Sequence, residues 1–160
     1  MSMLAAAPAA THEVLNQSTP LVGHNLYSGD RALRDALQFH LPDADESPRV
    51  KLGALLGDAA MQTHARLANA HEPVLHTHDR FGHRRDSVEF HPSYHALLGA
   101  AISAGLHATP WAAAAGAHVE REGVQGGAHM ERAAGFLMFT QLEPSVLCPV
   151  SMTYAVAPAL

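Results

Sequence analysis

HPSYHALLGAAIS, residues 91–103, decides how the rest of the chain is read. Pro92 suits a first helical turn, where no intrahelical donor is needed, and His91 precedes it as the opening residue. Tyr94, Leu97, Leu98, Ala101 and Ile102 recur at i, i+3, i+4, i+7 and i+8. That spacing is the one-faced stripe of a helix packed against a core. Other segments carry the same kind of signal. Asp30 is placed to cap a helix to about Leu41, with Leu33, Leu37 and Leu41 on one side and Pro42 ending it. SPRVKLGALLG (Ser47–Gly57) has a capping Ser47, Pro48 at the first helical position and Gly57 as a stop, and Asp58 restarts a helix to about Ala70.

Thr109-Pro110 begins an alanine-rich helix carrying Trp111 and ending near Gly123, and VQGGAH (Val124–His129) reads as a turn. In MERAAGFLMFTQLE (Met130–Glu143) the Phe136–Phe139 run is apolar all round, so burial on several sides is expected. Pro144 breaks that helix and Pro149 opens a last one. The only strand-like part is PVLHTHD and DSVEF around a glycine-containing loop, a hairpin that is marginal without support. The fold class is therefore mainly α, with about six helices and one hairpin. Residues 1–29 form a start without pattern and an extended arm, whose Val14, Leu15, Leu21, Leu26 and Tyr27 have no evident internal place; the helical domain is residues 30–160.

Composition narrows the function classes. The chain has 160 residues, 48% hydrophobic and 16% charged, with a formal net charge of -5. Phosphate-backbone binding calls for clustered Lys and Arg, and the one dense run, RFGHRR (Arg80–Arg85), is flanked by Asp79 and Asp86 as in a solvated turn. A single cysteine, Cys148, excludes an internal disulfide and fits a reducing compartment; among apolar neighbours it reads as a buried, inert thiol. There is no basic n-region, arginine-rich leader or run of about 20 apolar residues, so a cytoplasmic protein without a membrane span is expected.

Chemistry is thinly signalled. His76 and His78 would share one face of a strand, while His91 and His95 lie a helical turn apart, so four imidazoles could surround zinc. With 13 histidines in the chain such spacings arise by chance, and His91 and His95 have ordinary helical positions. No nucleophile elbow, P-loop or dinucleotide fingerprint appears. Glu120, Glu122, Glu131 and Glu143 are spaced like a solvated helix face, and Gly126-Gly127 like a turn. No catalytic, cofactor-binding or metal-binding residue is assigned.

Four stretches nevertheless carry a resemblance: THEVLNQSTPLVGHNLYSGDRAL (Thr11–Leu33), ARLAN (Ala65–Asn69), VEFHPSYHALL (Val88–Leu98) and LCPVSMTYAVAPAL (Leu147–Leu160). In order and spacing they are similar to the N-terminal region of the AidB-type adaptive (alkylation) response acyl-CoA dehydrogenase homologues. The resemblance implies an N-terminal helical region followed by a β-domain and a C-terminal bundle, FAD as cofactor, and a tetramer. It also implies a link to defence against DNA alkylation, with DNA contacted through the C-terminal part, and weak dehydrogenase activity. The remaining domains of the same flavoprotein would be this chain's partners.

The chain departs from the pattern by stopping before the flavin-contacting M-T-E-x-x-G-G-S segment. Met152-Thr153 is not that segment, because Tyr154 follows it. The expected role is thus a cavity wall and oligomer contact, with the fragment alone inactive; the helices after Pro149 and over Tyr94–Ile102 are the expected cavity neighbours. The alternative is a stand-alone binding or scaffold module with a histidine metal site. On the first reading Val150, Met152, Val156 and Leu160 await a partner, and leaving them in water forfeits about 1.5–3 kcal/mol each. The coding DNA beyond the Leu160 codon is expected to continue, in frame or frameshifted, into an M-T-E segment. Sequencing across that point checks this, and a natural stop followed by unrelated sequence would contradict it.

Overall fold

The computed structural model describes residue 11 and residues 13–116 and 122–160. Helix α1 (Arg31–His40) begins where Asp30 Oδ1 accepts the Leu33 amide at 2.9 Å. It buries Leu33 and Leu37 and ends at Leu41. Helix α2 (Ser47–Leu56) starts differently from expectation. Ser47 does not cap it; Asp45 does the holding, accepting from the Ser47 amide at 2.9 Å and its hydroxyl at 2.7 Å. Helix α3 (Ala59–Ala70) opens on Asp58, which accepts from the Ala60 amide at 2.7 Å.

Strands β1 (Val74–His78) and β2 (Arg84–Glu89) pair antiparallel with Leu75 opposite Val88, and every residue in both is exposed. The Asp79 carboxylate closes their loop by accepting from the Phe81 and His83 amides, so Arg80–His83 form a solvated turn, while Arg84 and Arg85 begin β2. Helix α4 (Pro92–Ser103) is capped by His91, whose Nδ1 accepts from the Ser93 amide at 3.1 Å. Helix α5 (Thr109–Gly116), helix α6 (Glu122–Leu142), helix α7 (Leu147–Val156) and a 3₁₀ turn (Ala157–Ala159) complete the order.

Helix α6 runs through the middle and touches α1, α2, α3, α5 and α7. Its Ala134, Met138 and Phe139 are buried together with Leu33 and Leu37 of α1, Leu56 of α2, Met61 and Ala65 of α3, and Leu97 and Ala101 of α4. The apolar run is not enclosed on all sides: Met138 and Phe139 are sealed, whereas Leu137 is 58% exposed. Nor is VQGGAH a turn. The helix passes straight through Gly126 and Gly127. Glycine costs a helix about 1 kcal/mol relative to alanine, but packing overrides that cost: a Cβ on Gly127 would sit 3.5 Å from Leu41, in van der Waals reach of the end of α1. On α4 the buried line is Ser93, Leu97 and Ala101, and Ile102 faces outward at 45% exposure. The Ser93 hydroxyl bonds His64 Nδ1 at 3.1 Å, so a polar residue fits the inner line.

The arm finds a place on its own chain. Gly23 N–H donates to Gly57 O at 2.8 Å, Leu26 N–H to Gly53 O at 3.1 Å, and Asn25 Nδ2 to Val50 O at 2.9 Å. Tyr27, expected to lack an internal site, is buried beside Arg49, whereas Val14, Leu15, Leu21 and Val22 stay exposed. Gly57 ends α2 at an ordinary φ of -82°, so its need for glycine is one of space: a Cβ there would lie 1.6 Å from the His24 carbonyl oxygen. Gly99, by contrast, has nothing within 4 Å of a Cβ. Gly57→Ala is expected to destabilise by about 1–3 kcal/mol through overpacking, and Gly99→Ala to stabilise by about 0.5–1 kcal/mol. Thermal unfolding of the two variants checks the pair, and equal shifts would contradict the arm's close seating.

Candidate functional site

Helix α7 has two unlike sides. Inward, Leu147 and Val150 are buried with the preceding Val146; Val150 is sealed by the chain's own residues, contrary to expectation. Outward, Met152 is 69% and Val156 47% exposed, and Leu160 is fully exposed. Cys148, expected to be buried, is exposed on this helix.

Two devices hold α7 in place. The first is the turn before it. Glu143 is 2% exposed, not on a solvated face. Its carboxylate accepts from the Ser145 amide at 3.1 Å, the Ser145 hydroxyl, the Val146 amide at 3.0 Å and Asn69 Nδ2 at 3.4 Å. Burial pushes this carboxyl up, but the hydrogen bonds outweigh it and hold the group below the ordinary glutamate value. The second device is a clasp around Tyr154. Trp111 Nε1 donates to the Tyr154 carbonyl at 2.8 Å, and the two rings stack with centroids 5.0 Å apart. The Tyr154 hydroxyl bonds His129 Nδ1 at 2.8 Å. The Arg132 guanidinium carbon lies 3.7 Å from the Tyr154 ring centroid and 4.3 Å from that of Phe136, while its Nε donates to Leu106 O at 2.7 Å. Burial pulls Arg132 below its ordinary value, and the flanking aromatic faces favour the cation.

A cleft of about 780 Å³ opens between α2, the end of α4, the start of α5 and α6. Leu52, Leu55, Leu106 and Met138 contribute apolar surface; Asp45, Arg49, Lys51, Glu131 and Arg132 contribute charge. Arg49 is the most deeply set of these, at 5% exposure. It donates to the Tyr27 hydroxyl at 3.2 Å and to the carbonyls of Ala44 and Asp45. Its Nε lies 3.2 Å from Glu131 Oε2, close enough for ion pairing, but without the alignment of a hydrogen bond. Burial raises the Glu131 carboxyl, with Arg49 opposing it.

The four histidines weighed for zinc go to different partners. His76 bonds Glu89 at 2.8 Å, His78 bonds Thr77 at 3.1 Å, His91 caps α4 and stacks on His71, and His95 meets the edges of Phe90 and Tyr94. Among the described residues no group of three or more His, Cys, Asp or Glu is placed to hold a metal ion. Glu120 and the side chain of Glu122 lie outside the described residues. No helix among them is long and apolar enough to cross a membrane.

A flavin needs donors for its pyrophosphate as well as an apolar wall. The outer side of α7 offers Met152 and Val156, and the Thr153 hydroxyl is already turned to Pro149 O at 3.0 Å. These residues supply a wall without a phosphate cradle, so they do not hold FAD by themselves.

Helical packing around a central α6, with an appended hairpin, is the fold of acyl-CoA dehydrogenase N-terminal domains. It superposes on Caenorhabditis elegans ACDH-11, solved in complex with C11-CoA, with a TM-score of 0.70 at 20% identity, over 91% of this chain and 24% of that one. It superposes on the apo form of Bd2924 with a TM-score of 0.65 at 23% identity, over 89% of this chain and 28% of that one. The model of the adaptive response protein AidB N-terminal domain matches residues 16–160, and the chain belongs to that family. It is 37% identical over 150 residues to the putative acyl-CoA dehydrogenase AidB of Escherichia coli strain K12. That match covers 94% of this chain but 26% of the relative, so the chain spans about a quarter of the length of the protein it resembles.

The Glu143 turn gives a signed pH expectation. A depressed carboxyl contributes stability that is fully present above the unfolded value, about 4.3, and is lost as pH falls through the folded value. Glu143→Gln is expected to cost about 1–3 kcal/mol near neutral pH, because an amide cannot accept all the amide and hydroxyl donors aimed at the site. The variant's stability should also fall less steeply below about pH 5. Denaturant melts from pH 7 to pH 3 check both, and an unchanged acid limb would contradict the assigned role.

Proposed function

We propose that the chain is the N-terminal helical wall of an FAD-dependent, acyl-CoA dehydrogenase-like flavoprotein of the AidB type, linked to the DNA alkylation response. The observation that carries this reading is the family match over residues 16–160, joined to a 26% share of the Escherichia coli relative's length. A second observation agrees with it: α7 presents Met152 and Val156 outward from a helix otherwise firmly anchored, and Leu160 beyond it is exposed too. On this reading that side of α7 borders the acyl and flavin cavity, with α4 as its neighbour. The flavin's phosphate contacts, the catalytic groups and the DNA-contacting part belong to the rest of the polypeptide. The exposed arm residues Val14, Leu15, Leu21 and Val22 serve contacts between subunits of a tetramer, and the assembly works in the cytoplasm.

The role of this chain's own residues is then to exclude water and fix position. Met152 and Val156 give an apolar wall on which an acyl chain or a flavin ring loses its hydration. The Tyr154 clasp and the Glu143 turn keep that wall from moving.

Joining the chain to the remainder of the Escherichia coli relative, in place of that protein's own N-terminal quarter, tests the reading. The chimaera is expected to purify yellow with FAD, and the 160-residue chain alone colourless. Met152→Glu in the chimaera should lower its flavin or acyl-CoA affinity by about tenfold or more, as a charge placed against an apolar ligand does. A folded chimaera without flavin, or a stoichiometric yellow colour in the chain alone, would contradict the proposal.

A further inference from the structure

The cleft between α2, α4, α5 and α6 is a second surface with a chemistry of its own. No α7 residue lines it among the described residues. Its volume, about 780 Å³, lies within the roughly 300–1,000 Å³ of small-molecule pockets, which pair apolar walls with a few placed polar groups. The charges at its mouth do not cancel. Arg49, Lys51 and Arg132 stand against Asp45 and Glu131. Both carboxylates are engaged: Asp45 by the amide and hydroxyl of Ser47, Glu131 by Arg49.

The cations keep spare capacity. Lys51 is exposed and makes no hydrogen bond or ion pair among the described residues. Arg132 commits its Nε to Leu106 O, which leaves both terminal nitrogens of the guanidinium for another acceptor. Arg49, nine-tenths buried, adds its charge to the lining, but its own nitrogens are held by Tyr27, two carbonyls and Glu131. The surplus is one positive charge, and a guanidinium fork matches the two oxygens of a carboxylate.

We propose that this cleft binds a small amphipathic monocarboxylate. Its unbranched apolar tail lies on Leu52, Leu55, Leu106 and Met138, and its carboxylate meets Lys51 and Arg132 at the mouth. With three cations against two carboxylates, the lining favours an anionic head over an amine. A doubly charged phosphate would exceed the single surplus charge. The proposal is independent of the flavin reading, since it uses none of the α7 residues and needs no cofactor.

Decanoate titrated into the 160-residue chain by calorimetry tests this, with decylamine and decanol as tail-matched controls used below their micelle concentrations. Decanoate is expected to bind one equivalent, and each control about tenfold more weakly or worse, the loss of one charge-assisted hydrogen bond. Two variants change exposed positions lining the cleft, so the packed core is untouched. Lys51→Glu should weaken decanoate by about tenfold or more, and Ala104→Phe, which adds a ring to the lining, should abolish binding. Absence of decanoate binding would overturn the proposal, as would decylamine or decanol binding equally well. So would decanoate affinity unmoved by both cleft variants, or affinity lost in Met152→Lys but kept in Ala104→Phe, which would put the ligand on α7.

Discussion

Burial of Met138 and Phe139 at the centre of α6 is the constraint on which the rest of the molecule depends. One helix in contact with α1, α2, α3, α5 and α7 leaves those elements to form a shell around it, each turning one side inward. Small residues make the approach possible. A Cβ on Gly135 would fall 2.5 Å from Leu106 Cδ2, and Ala134 is sealed beside it. Dispersion and area burial then act over the whole shell at once, which is why the three glycines in the first two turns of α6 do not break it.

Such a core leaves polar groups inside, and two of them, Arg49 and Glu143, gather partners from distant parts of the chain. The terminal nitrogens of Arg49 donate to Tyr27 and two carbonyls, so the arm and α2 are tied through one guanidinium. Burial is the leading reason that the Tyr27 hydroxyl is raised above its ordinary value. Glu143 gathers the donors that the α6–α7 turn exposes, and so replaces the water those amides would otherwise need. These two residues fix where the arm begins and where the last helix sits.

Much of the scaffold was legible because its signals are local. Asp30, Asp58 and His91 cap the helices they precede, Pro144 ends α6 just after Leu142, and the hairpin forms where two short strand-like stretches flank Asp79–Gly82. What escaped depends on contacts distant in sequence. Gly126-Gly127 reads as a turn until Leu41 of α1 is brought against it. Glu143 and Glu131 have the spacing of surface carboxylates, and only Asn69, from 74 residues away, and Arg49 show them turned inward. Cys148 sits among apolar neighbours in sequence, yet the line that faces the core is Leu147 and Val150, which leaves it outside. That Met152 and Val156 would lie outside the chain's own core was legible; the cleft was not, because its lining comes from four helices and no local motif marks it. Arg132 joins the two surfaces, lining the cleft on one side and lying against Tyr154 of α7 on the other.

On the proposed reading, the outer side of α7 is a contact surface within a larger flavoprotein. Peroxide oxidation of Met152, read by mass spectrometry, tests it most directly, because that side chain is 69% exposed here and thioether oxidation follows access. Rapid oxidation is expected in the 160-residue chain and strong protection once the chain is joined to a flavin-binding remainder, with the buried Met138 slow in both. Equal oxidation of Met152 in the two forms would contradict it.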